Sequence, residues 1–66
     1  MNEQQAREIL GGSITPTGDL YNTSCYVLWD RFVPETVTLD DEFTIDQLEA
    51  IVWWMRNKSE KQESKR

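Results

Sequence analysis

A single cysteine, Cys25, and no histidine in 66 residues deny this chain both of the staples that small domains commonly use. One thiol cannot close an internal disulfide, and a lone cysteine without histidine cannot build a structural zinc site. A chain of this length has room for one core. Ordering each residue costs about 1.5 kcal/mol, against about 25 cal/mol gained for each Å² of apolar surface buried, and at this size the two sums nearly cancel. Three Trp, two Tyr and two Phe narrow the gap, because each ring buries a large area. Self-association is the other remedy left open.

The pattern along the chain predicts an α+β domain. Asn2 can cap a short helix, with Gln5 three residues on in a capping-box relation. Ala6, Ile9 and Leu10 make one narrow apolar stripe, and Glu3 and Arg7 form an i, i+4 pair in the favourable order. Gly11-Gly12 stops this helix, since glycine takes the left-handed conformation without strain. Pro16-Thr17-Gly18-Asp19 is turn chemistry.

From Ser24 to Asp30, Cys25, Val27 and Trp29 alternate with Tyr26 and Leu28, which predicts a strand with apolar side chains on both faces and cover over both. Cys25 is expected as a buried structural thiol within it. Pro34 interrupts the ladder, and Thr36 to Leu39 reads as a second strand in an antiparallel hairpin. A third strand within residues 13–23 is left open.

Thr44-Ile45-Asp46-Gln47 carries the clearest signal, a capping box opening a longer helix. Ile45, Leu48, Val52 and Met55, flanked by Ile51, form its expected core stripe. With Leu48 at zero and about 100° per residue, these lie within about 60° of one another's centre, Trp54 lies at the edge near 240°, and Trp53 lies near 140° beside Glu49 and Asp46. A helix packed on one side only should not carry an indole there. The expected architecture is α-β-β-α: a two- or three-stranded antiparallel sheet packed by a short N-terminal and a longer C-terminal helix. Residues 1–57 form the expected domain, and 58–66, which are polar and charged throughout, form an expected disordered tail.

Composition argues against catalysis. The commonest general base is missing, Cys25 has no neighbour to lower its pKa, and no Gly-rich phosphate loop is present. Asp40-Asp41-Glu42 with Asp46 and Glu49 lacks the alternation and central glycine of a calcium loop, and acids near a helix start also complement its dipole. No enzyme activity, metal or cofactor is therefore expected. Residues 30–49 carry a net charge of minus six, and residues 56–66 a net of plus three. The chain's net charge of minus five disfavours direct nucleic-acid binding. Met1 to Gln5 lacks the basic and apolar regions of a secretory signal, and no apolar run is long enough to span a bilayer, so a cytoplasmic setting without membrane contact is expected.

The run Leu39-Asp40-Asp41-Glu42-Phe43-Thr44, then Leu48-Glu49-Ala50-Ile51 and Trp53-Trp54-Met55, resembles small uncharacterised proteins encoded by bacteriophages and prophages. Those share a pattern like LDGxFTxxxLEAIxWWM, preceded by a spacing that Ile14 to Tyr21 matches here. The resemblance extends to about Asn57, with Asp41 where the pattern usually has Gly. It implies a phage or prophage source and the cytoplasm of a bacterial host, and it implies no activity. Together these readings predict a non-enzymatic interaction module that forms a homodimer and meets a basic host or phage protein. Trp53, Tyr26, Leu28 and Trp54 are its candidate interface, and Asp40, Asp41, Glu42, Asp46 and Glu49 its candidate acidic surface. The alternatives are an acidic inhibitor that mimics nucleic acid in a DNA-binding enzyme, and a structural homodimer without a regulatory target.

Overall fold

Both ends of the first helix follow from its sequence. In the computed structural model, which describes residues 1–32 and 34–59, α1 spans Glu3–Leu10. The Asn2 side-chain oxygen accepts from the Gln5 amide at 2.9 Å, and the Gln5 side chain accepts from the Asn2 amide at 3.0 Å. This reciprocal cap satisfies two amides that no helical carbonyl can reach. Glu3 and Arg7 pair at 3.0 Å. The helix stops where glycine permits it to: Gly11 has φ +51° and opens a short 3-10 turn, Gly11–Ser13.

The longer helix, α2, spans Ile45–Lys58. The Thr44 hydroxyl accepts from the Gln47 amide at 3.1 Å, and the Gln47 side chain accepts from the Thr44 amide at 2.7 Å. Residues Met1–Leu10 and the chain from Phe43 onward make one compact unit, in which α1 packs against α2. Ala6 and Leu10 of α1 and Ala50, Ile51 and Trp54 of α2 are buried. Alanines fully enclosed on both helices permit close approach of the axes, and each large side chain such as Ile51 or Trp54 contributes roughly 1.5–3 kcal/mol when removed from water. The Arg7 guanidinium and the Lys58 ammonium lie over the Trp54 ring at 5.1 and 5.2 Å. Lys58 also reaches Glu3 at 3.1 Å, joining the last turn of α2 to the first turn of α1.

The folded part therefore extends past Asn57. Lys58 belongs to the helix and Ser59 is buried, which corrects the expected boundary after residue 57. The remainder of the expected tail, residues 60–66, lies outside the described residues.

Residues Gly11–Glu42 make the second unit, a three-stranded antiparallel sheet in the order β1-β2-β3, with β1 at Tyr21–Asn22, β2 at Val27–Asp30 and β3 at Thr36–Leu39. Val27 pairs with Leu39 and Trp29 with Val37, so these four side chains share a face. Leu28, Tyr21 and Thr38 share the other. A bridge between Ile14 and Leu20 closes the turn that precedes β1. In that turn the Thr15 amide donates to the Asp19 carbonyl at 2.8 Å, and Gly18 holds φ +91°.

Two expectations for β2 are corrected. The strand begins at Val27 rather than Ser24, because the Asn22 side chain accepts from the Ser24 amide at 2.8 Å and bends residues 23–26 into the hairpin connection. Cys25 consequently lies in a turn, a free and only half-buried thiol. Cover is also one-sided: Val27 and Trp29 are buried, while Leu28 and Asp30 are exposed.

Candidate functional site

The exposed side of α2 is where the structure departs most from the expected packing. Its buried face runs through Ala50, Ile51 and Trp54, near 250° on the wheel described above, and not through the Ile45–Leu48–Val52 stripe. Ile45 is 74% exposed, Leu48 40% and Val52 47%. Trp53, half-buried, stands on the same side, its ring centroid 6.2 Å from that of Trp54 at a tilt of 49°. Three aliphatic side chains and one indole thus remain in contact with water along successive turns. Together with Met1 they form the walls of an open groove of about 560 Å³.

Polar groups enter this groove at two points, Glu49 and Arg56, with Asn57 at its end. Asn57 is engaged, its side-chain amide donating to the Trp53 carbonyl at 2.8 Å. Among the described residues neither Glu49 nor Arg56 takes part in an ion pair.

The expected interface residues are distributed unevenly. Trp53 lies in the groove. Trp54 is 1% exposed beneath the Arg7 and Lys58 side chains, so its ring has no surface to offer another chain, and it is corrected to a core residue. Leu28 of β2 is exposed beside its partner Tyr21, and Tyr26 is half-buried in the connection before the strand. These three belong to the sheet unit, and Trp53 to the helical unit. Of the expected acidic surface, Asp40, Asp41 and Glu42 follow β3 and Asp46 and Glu49 lie on α2; all five are exposed.

The strongest side-chain cluster in the sheet unit was not anticipated. Arg31 forms an ion pair with Asp19 and lies 3.9 Å over the Trp29 ring. It ties the turn before β1 to the end of β2, and its planar guanidinium suits both contacts. The Trp29 indole nitrogen is buried without a hydrogen-bond partner among the described residues.

Hydrogen bonds from Lys58 and then Arg7 hold Glu3 below the usual glutamate range. Among the described residues no three Cys, Asp or Glu side chains are grouped to hold a metal ion, and no helix is long and apolar enough to cross a membrane. No protein-family model matches the sequence, and comparison with curated proteins and with solved structures gave no significant match.

Proposed function

We propose that this chain is a non-enzymatic protein-interaction module that works as a homodimer through the outer face of α2, of the phage- or prophage-encoded kind its C-terminal pattern resembles. The observation that carries the reading is the exposed stripe of Ile45, Leu48 and Val52 beside Trp53. Single exposed apolar residues are ordinary, but a continuous row on the best-defined helix marks a contact surface. A small core without disulfide or metal adds a reason for that contact to stabilise the fold. Asp40 and its acidic neighbours are exposed too, but charged side chains are at home in water and call for no partner, so they support no second reading.

Sedimentation velocity from about 5 to 500 µM is the test, at the concentrations where small interfaces associate. The wild-type chain should pass from monomer to dimer. Ile45→Asp combined with Val52→Asp should raise the dissociation constant at least tenfold, since it places two carboxylates in an apolar contact. Both positions face water in the monomer, so helical circular dichroism should be unchanged. A wild-type chain that stays monomeric throughout this range would overturn the homodimer.

A further inference from the structure

Two charged side chains stand among the apolar walls of the α2 groove, acid before base. Glu49 and Arg56 both line the groove, seven residues apart. At 1.5 Å per residue that is about 10.5 Å of axial rise. Neighbours that pair along one helix are three or four residues apart, so this acid and base are poorly placed to neutralise each other. Acid before base also complements the helix dipole, which accounts for the order of the charges but not for their shared position among Leu48, Val52 and Trp53.

We infer that a second copy of this chain docks on the groove with its α2 antiparallel, exchanging Glu49 and Arg56 across a two-fold axis. The inference rests on the homodimer reading and adds its geometry. An axis midway between positions 52 and 53 sets Glu49 level with the partner's Arg56, and Arg56 level with the partner's Glu49. The same axis sets Val52 level with the partner's Trp53, so the apolar centre closes where the two charge pairs flank it. The surface is then self-complementary in charge, as a two-fold interface requires. A parallel pair would instead set acid on acid and base on base, each pair repulsive.

Charge reversal separates the orientations. Glu49→Arg and Arg56→Glu should each weaken dimerisation, about tenfold for two attractive pairs made repulsive. The double variant Glu49→Arg/Arg56→Glu restores opposite charges across an antiparallel interface and should recover most of the wild-type affinity. Added salt should weaken the wild-type dimer. If the wild type dimerises but neither single reversal weakens it, the antiparallel exchange is wrong and the homodimer stands. Single reversals that weaken association without rescue by the double variant overturn the exchange as well. A monomeric wild type overturns both readings. Circular dichroism of each variant checks that the helix remains intact, and the rescue does not depend on comparing a damaged fold with an intact one.

Discussion

Several residues act here through one or two atoms. Thr44 starts α2 because its hydroxyl replaces a missing helical carbonyl, and Gln47 returns the bond. Replacing Thr44 with Ala removes the acceptor and leaves the Gln47 amide to water, so urea denaturation should show a loss of about 1 kcal/mol. An unchanged midpoint would mean that the cap carries no net stability. Such local chemistry is readable in a sequence because donor and acceptor are three residues apart. The Asn2–Gln5 box, the Glu3–Arg7 pair and the Gly11 stop were readable for the same reason. Arg31 was not. Its acidic partner Asp19 is twelve positions away, and only the hairpin register brings the two together. Asn22 had no distinct signal either; its capture of the Ser24 amide competes with strand extension and moves the start of β2 to Val27.

At the scale of elements, periodicity showed that α2 is amphipathic but misplaced part of its buried face: of the expected stripe Ile51 is buried and Met55 half-buried, while Ile45, Leu48 and Val52 are exposed. A wheel ranks faces by hydrophobicity, and α2 has two apolar faces. The one with more aliphatic carbon, through Ile45, Leu48 and Val52, faces water. The other wins because Ala50 offers little bulk, Trp54 offers a large ring, and Arg7 and Lys58 lay their stems and charges over that ring. Which face suits α1 depends on Ala6 and Leu10, and no single-helix pattern contains that information. Trp53 still stood out on the wheel, so the groove was half legible: its indole was noticed, while its aliphatic wall was assigned to the core.

The contact between the two helices also carries a pH dependence. Glu3 is held ionised by Lys58 first and by Arg7 second, so its folded-state pKa lies below its unfolded one. Its contribution is then present above the ordinary glutamate range and is lost as pH falls through the lowered folded value. Glu3→Gln should therefore cost stability at pH 7 and almost none once both states are protonated at about pH 2, as thermal melts of the two proteins would show. The effect should be small, since both ion pairs are partly exposed, and it should shrink further in salt. A constant difference across the whole range would mean that Glu3 acts by packing and not by charge.

Across the whole chain, the helical unit is discontinuous and the sheet unit is continuous. Residues 11–42 build the sheet from neighbours in sequence, whereas the helices that pack together come from either side of it. The sheet hairpins close loops of a few residues, while the Glu3–Lys58 contact spans 55 positions. Closing a long flexible loop costs more entropy than closing a short one, and short-range pairings form sooner. The sheet should thus organise first. Once Ile14 meets Leu20 and β1 to β3 have zipped, the free chain between the helices is effectively shorter, and the encounter of α1 with α2 becomes the late event. In pulse-labelled hydrogen exchange during refolding, the Trp29 amide, bonded to the Leu20 carbonyl at 3.1 Å, should gain protection before the indole N–H of the buried Trp54. Simultaneous protection would point to one concerted collapse. With the expected order, the outer stripe of α2 is presented on a settled helix pair only at the end of folding, so the self-recognition we propose for it would be the last property a newly made chain acquires.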